Sequence, residues 1–193
     1  MTFASLHFAL IFLLNLNLQQ PNMSSPPNPA SSPLPNSPPL VLIREISPDG
    51  TLTPPQLLPK LILPDSEWKQ KLSPEAYRIL RAQGTERPFC GHLLHNKATG
   101  IYCCAGCHLP LFHSHSKFES HTGWPSFFAP IAKENITERL DTSHGMIRTE
   151  ILCTRCDGHL GHVFPDGPPP TGLRYCLNSA ALHFIPLPAS NPH

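Results

Sequence analysis

The sequence predicts a small, mainly β domain of antiparallel strands with one or two helices packed at its front. Three observations carry that prediction. After Gly84 the chain breaks into short apolar or aromatic runs separated by Gly, Pro, Asn and Asp, which is strand punctuation. One stretch alone, LPDSEWKQKLSPEAYRILRAQG, carries helix boundaries. And two Cys-x-x-Cys pairs fall inside the short runs, as in a small core that a metal braces.

The elements follow in chain order. Residues 1–20 hold an apolar run from Phe8 to Leu14, too short to span a bilayer. It has no basic residue before it and no small-x-small cleavage site after it. The chain is expected to be cytoplasmic if translation starts near Met23, and exported or periplasmic if the apolar stretch acts as a signal. Residues 21–64 read as a disordered Pro/Ser-rich linker. Of 25 prolines, 13 precede Asp65, and such composition buries too little apolar surface to offset ordering entropy. The folded domain is expected over residues 65–186, with 187–193 a tail.

Within the domain, Ser73 suits a helix N-cap, Pro74 the first helical position and Gly84 the C-terminal stop. Tyr77, Leu80 and Ile79 are expected to face the core. GIYCC, LPLF, FFAPI, GMIRTEILC, GHVF, LRYCLNS and ALHFIPL read as strands or strand edges. Asn135–Thr137, NIT, is a formal glycosylation acceptor.

The first pair supplies Cys104 and Cys107, the second Cys153 and Cys156. Two residues between thiols let a tight turn aim both sulfurs at one ion while backbone amides stabilise the thiolates. One pair alone leaves a redox dithiol or a disulfide open. Two matched pairs favour a tetrahedral zinc, one per chain, whose four protein ligands close the coordination sphere and make it structural.

Three cysteines remain. Cys103 adjoins a zinc ligand in a strand, so its side chain points to the opposite face and suits a buried structural thiol. Cys90, in ERPFCG, lies in a Pro- and Gly-bounded loop. Cys176, in RYCLNS, shares a strand face with Arg174 and Asn178. A guanidinium there lowers a thiol pKa, and an amide there can hydrogen-bond a substrate. His159 and His162 follow the second pair, with Asp166 beyond them, and Trp124 sits between Gly and Pro. Taken singly, each of these reads as a turn or core residue. Together they supply a thiolate, an acid/base pair, a carboxylate orienter and an apolar wall.

TERPF, CAGC…PLF, KFESHTGWPSF and CTRCDGHLGHVFPDGPPPTGLRYCLNSAALHF together resemble the methionine-R-sulfoxide reductase B family, from about Asp65 to Phe184. The resemblance implies two antiparallel sheets and a structural zinc far from the active site. It implies that Cys176 attacks the sulfoxide sulfur of an oxidised methionine, in proteins or peptides, and is left as a sulfenic acid. It places His159 and His162 in the catalytic pocket, with Asp166, Arg174 and Asn178 organising it. Trp124 and Phe184 fall to the substrate. The second cysteine usual in the family precedes GWPSF, where this chain has Thr122. Cys90 is therefore the candidate resolving thiol, with Cys103 the fallback, an external thiol a third route, and thioredoxin the expected reductant.

The rival reading is a non-catalytic zinc module that binds proteins, which needs neither RYCLNS nor GHLGHVF. Fourteen basic against 13 acidic side chains, with no Lys/Arg block, argue against nucleic acid or an anionic membrane. A monomer is expected.

Overall fold

The structure is a computed structural model that describes residues 37–47 and 50–187. The apolar stretch at residues 1–20, the first part of the Pro/Ser-rich stretch and residues 188–193 lie outside the described residues. Among those described, no helix is long and apolar enough to cross a membrane.

The chain begins with a hairpin of β1 (Leu40–Ile43) and β2 (Gln56–Pro59). This corrects the linker reading of residues 40–59. Proline dominates the composition there, but side chains of alternate residues turn inward. Ile43 is fully buried, and Val41 and Leu58 pack on the core. The Asn135 amide clamps the Arg44 backbone, accepting from its N–H and donating to its carbonyl, both at 2.8 Å. That amide also donates to the Pro110 carbonyl at 2.7 Å. Fully buried and fully bonded, Asn135 is no glycan acceptor in the folded chain.

Two seven-residue helices follow, α1 (Asp65–Lys71) and α2 (Pro74–Leu80). The Ser73 hydroxyl accepts from the Ala76 N–H at 3.2 Å, so the predicted N-cap is formed. Ile79 and Leu80 are buried, whereas Tyr77 is half-buried and bonds Asp65 through its hydroxyl.

The remaining strands are β3 (Gly100–Cys104), β4 (Pro110–His113), β5 (Lys117–Phe118), β6 (Ser126–Phe127), β7 (Ile136–Asp141), β8 (Arg148–Cys153), β9 (His159–Phe164), β10 (Arg174–Leu177) and β11 (Leu182–Pro186). They form a six-stranded sheet in the order β5-β6-β10-β9-β8-β7 and a three-stranded sheet in the order β11-β3-β4. Every strand pairing is antiparallel. With the β1–β2 hairpin there are three sheets among the described residues, one more than the resemblance implies.

The core lies between the two larger sheets. Tyr102 and Phe112 of the smaller sheet meet Phe127 of the larger one at ring-centroid distances of 4.9 and 4.7 Å. Trp68, Ile79 and Leu80 belong to the same buried cluster. Because side chains alternate across a sheet, burying Tyr175 and Leu177 turns Cys176 to the other face.

Candidate active site and metal centre

One row of residues crosses the outer face of the six-stranded sheet. Arg139 pairs with Glu150, Glu150 with His162, His162 with Cys176 and Cys176 with Ser126. Directly opposed residues of antiparallel strands bring their side chains together, so the row sets an imidazole on one side of the Cys176 thiol and a hydroxyl on the other.

His159 joins this face because β9 is irregular. Residues three apart in a regular strand point to opposite faces. Here Ile151 pairs with Gly161 while Leu152 pairs with His159, so Leu160 is an extra residue. Leu160 goes into the core, and both histidines emerge on the outer face, ring centroids 5.5 Å apart, although of the two His162 alone lines the cleft that holds Cys176. This is what a bulge does: it re-aims one side chain. Gly161 has no alternative, since a Cβ there would overlap the Cys176 carbonyl oxygen.

The Cys176 Sγ lies 3.9 Å from the Thr122 Oγ1. Burial pushes the thiol pKa up, and the Thr122 hydroxyl, the Arg174 guanidinium and the Ser126 hydroxyl pull it back only in part. The resting group is a thiol with partners ready for the thiolate. Arg174 is itself held by Asp166 through two bonds of 2.9 and 2.7 Å, and it stacks over Phe164 at 4.5 Å. Asp166 thus orients the arginine and, among the described residues, makes no bond to a histidine.

Each histidine has another carboxylate. His159 Nδ1 lies 2.7 Å from a Glu150 oxygen, and Arg139 grips Glu150 at 2.9 and 2.7 Å. His162 Nε2 lies 2.8 Å from Asp141 Oδ2, which also accepts from Arg148 at 2.6 Å. Burial pushes the His162 pKa down while the bond to Asp141 pushes it up.

Cys176, His162, Trp124, Phe164 and Asn178 line a cleft of about 120 Å³. The Trp124 indole N–H donates to the Glu86 carbonyl at 3.1 Å, which fixes the ring as one wall. Asn178 is buried with its amide committed, accepting from the Glu86 N–H at 3.0 Å and donating to the Leu160 carbonyl at 3.1 Å. It therefore braces the site from below. The Glu86 carboxylate accepts from the Ser179 N–H at 2.6 Å and the Ala180 N–H at 3.3 Å.

The structure does not bring Phe184 or Cys90 to the cleft. Phe184 belongs to the smaller sheet and packs on Tyr102 at 4.9 Å. Phe164, a residue the sequence does not single out, stands in the cleft wall. Cys90 is exposed and lines a separate cavity with Arg87 and Glu86. Its turn touches the site indirectly: the Phe89 N–H donates to the Gly123 carbonyl at 2.8 Å, next to Thr122 and Trp124. Cys103 is buried, and desolvation pushes its thiol up to about 12. Asp141, Glu150, Arg148, Ser126 and Glu86 also escape sequence reasoning, because nothing local marks them. Only the registers across the sheet and the buried loop after α2 do so.

The four remaining cysteines converge. Their sulfurs all lie within 4.8 Å of one another, with Cys104–Cys156 at 3.6 Å and Cys107–Cys153 at 3.4 Å. Tetrahedral zinc with Zn–S bonds of about 2.3 Å sets its sulfurs roughly 3.8 Å apart, so the residues fit that ion. The two knuckles share one backbone pattern. Cys104 N–H donates to the Leu109 carbonyl and Cys153 N–H to the Gly158 carbonyl, each at 2.9 Å. The residues just past each pair, His108 and Asp157, take positive φ of 61° and 55°, which closes each turn. Cys104 and Cys107 bracket the turn after β3, and Cys153 and Cys156 the turn after β8. The ion would thus join the two larger sheets.

Comparison with known proteins agrees with this arrangement. The SelR domain model matches residues 72–186. The chain is 62% identical over 122 residues to a peptide methionine sulfoxide reductase MsrB of Thiobacillus denitrificans, covering 63% of this chain and 92% of that protein. It is 60% identical over 120 residues to the MsrB of Pseudomonas putida, covering 62% and 90% of the two chains. For the MsrB of Agrobacterium fabrum the identity is 54% over 129 residues, covering 67% and 96%. With the SelR domain model matching more than half of this chain and these relatives covered nearly end to end, the chain belongs to the SelR domain family, that of the methionine-R-sulfoxide reductases B.

Proposed function

We propose that this chain reduces the R epimer of methionine sulfoxide in polypeptides, with Cys176 as nucleophile, Cys90 as resolving thiol and thioredoxin as reductant. Methionine sulfoxide reduction, an oxidoreductase activity, follows from the family. The epimer, the intermediate and the reductant are the finer reading, supported by the sequence motifs. The observation that carries it is the cross-strand row: it opposes Cys176 to His162 inside a cleft walled by Trp124 and Phe164.

The chemistry balances without an added oxidant. The methionine sulfoxide sits with its methyl against Trp124 and its sulfur before Cys176. The thiol proton passes by way of His162 to the sulfoxide oxygen, and the sulfur of Cys176 takes that oxygen. The sulfoxide S–O bond breaks, methionine leaves, and Cys176 becomes S–OH, oxidised by two electrons. Cys90 then attacks that sulfur, a disulfide forms and water leaves. Thioredoxin, a dithiol, reduces the disulfide by exchange. A disulfide needs Cα atoms within about 7 Å. Because Cys90 lines a separate cavity, the Arg87–Cys90 turn must leave Gly123 for this step. The zinc would be held by Cys104, Cys107, Cys153 and Cys156, where it supplies structure and takes no part in the reaction.

The test uses separated R- and S-methionine sulfoxide peptides, dithiothreitol and then thioredoxin, with wild type and Cys176→Ser. R-specific reduction that vanishes in the variant supports the reading. A folded, zinc-loaded wild type with no activity overturns it and favours a zinc-braced binding module.

A further inference from the structure

The outer face of the sheet holds two imidazole–carboxylate–arginine relays, and only one of them opens on the cleft. In the first, His159, Glu150 and Arg139 are linked. His159 is 3% exposed, and its Nε2 meets no polar partner among the described residues. In the second, His162, Asp141 and Arg148 are linked, and both His162 and Arg148 line the cleft that holds Cys176.

Asp141 is bound on both oxygens. Its Oδ1 accepts from the Ser143 N–H at 2.9 Å, and its Oδ2 accepts from Arg148 at 2.6 Å and meets His162 Nε2 at 2.8 Å. Arg148 is a permanent donor, and a carboxylate that accepts from a guanidinium and an amide stays ionised. An ionised carboxylate can only accept, so the proton between it and the imidazole sits on Nε2. The bond at one ring nitrogen then decides what the other does.

We propose that Asp141 is a positioning residue for the reaction. It holds His162 in the Nε2–H form, which leaves Nδ1 as the nitrogen that takes the Cys176 proton and delivers it to the sulfoxide oxygen. This inference rests on the sulfoxide reductase reading above. The carboxylate orienter expected of Asp166 is thereby assigned to Asp141. Asp141 sits at the end of β7, three strands from Cys176, yet reaches His162 diagonally past Arg148. Without it the imidazole is free to rotate or to protonate on Nδ1, and the transfer loses its fixed path.

The competent form of the Cys176–His162 pair carries one proton, so its two limbs belong to the pair. The charged or titratable groups facing His162 are Asp141 from β7, Arg148 and Glu150 from β8, His159 from its own strand, and Cys176 with Arg174 from β10. Of these Asp141 is the one bonded to the ring, and its bond raises the His162 pKa. Removing the carboxylate therefore moves the acid limb of the rate profile to lower pH.

The test measures peptide sulfoxide reduction with dithiothreitol, from about pH 5 to pH 9, for wild type, Asp141→Asn and Asp141→Glu. Zinc content and circular dichroism serve as folding checks. Asp141→Asn is expected to lower kcat about 100-fold, the scale of a lost acid–base contribution, with KM changed less than about twofold and the acid limb displaced downward. Asp141→Glu restores part of both. Nitrogen-15 spectra of the histidine rings should show His162 as the Nε2–H tautomer in wild type and a mixture in Asp141→Asn. A folded Asp141→Asn enzyme with wild-type kcat and acid limb, or the same His162 tautomer in both proteins, overturns the proposal while wild-type activity stands. Absence of activity in wild type removes the sulfoxide reading itself and is a separate result.

Discussion

Cys176 lies directly opposite His162 in the β9–β10 pair, and the Gly161 backbone beside it passes so close to the Cys176 carbonyl that no side chain fits there. The Cys176 thiol and the His162 imidazole are thus joined by the sheet itself, at a spacing set by strand geometry and not by a loop.

Gly161→Ala should therefore damage both stability and chemistry. Its Cβ would drive β9 from β10 and disturb the bulge that aims His159. A loss of at least about 2 kcal/mol is expected, in the range of strained core substitutions, together with a fall in kcat. Denaturant unfolding and turnover should report the two effects. A variant with wild-type stability would mean that the strands can separate freely.

Arg174→Ala should shift the Cys176 thiol upward. The guanidinium lowers that pKa, so removing it leaves burial and the two hydroxyls. The pH curve for iodoacetamide alkylation of Cys176, measured in a Cys90→Ser background, should move to higher pH. An unmoved curve would show that Thr122 and Ser126 suffice.

Cys90→Ser is expected to leave one methionine released per enzyme and dithiothreitol turnover intact, while thioredoxin-coupled turnover is lost. The burst and the steady state can be read in one stopped-flow experiment. Unchanged thioredoxin turnover would exclude Cys90 as the resolving thiol. Cys103 has little claim to the role, because its thiol is buried and held up to about 12.

Glu86→Ala should destabilise the chain by about 2 kcal/mol, since the buried Ser179 N–H loses its acceptor. KM should rise with it, because the backbone of Glu86 also anchors Trp124. Thermal melts and KM for a sulfoxide peptide check the pair of effects. A stable variant with a normal KM would show that this loop is held by other contacts.

Chelation or Cys153→Ser should remove fold and activity together, as expected of a closed four-thiolate site whose binding energy is folding energy. One zinc per chain by elemental analysis, with loss of the cooperative melt on chelation, checks it.

The residues that local chemistry marks were legible in the sequence. Two Cys-x-x-Cys pairs declare a common ion because spacing alone directs both sulfurs of a pair, and the structure closes all four within 4.8 Å. Ser73 declares a helix start because a cap is a contact three residues long. RYCLNS puts Arg174 and Cys176 on one face because alternation along a strand is local. Tertiary structure decided the rest. β7, ITERLD, shows no strand signal in the sequence because an edge strand facing solvent has no apolar alternation to display, yet it carries Asp141 and Arg139. The sharing of one face by His159 and His162 depends on an extra residue against β8, which only pairing reveals. The β1–β2 hairpin folds in a proline-rich stretch because residues about a hundred positions away hold it: the Asn135 amide accepts from and donates to the Arg44 backbone, and the Arg155 guanidinium donates to the Glu45 carboxylate. The sequence determined which groups can do the chemistry, since that is written in residue type and short spacing. The partners that tune those groups come from strands brought together by burial, and their register is a property of the whole sheet.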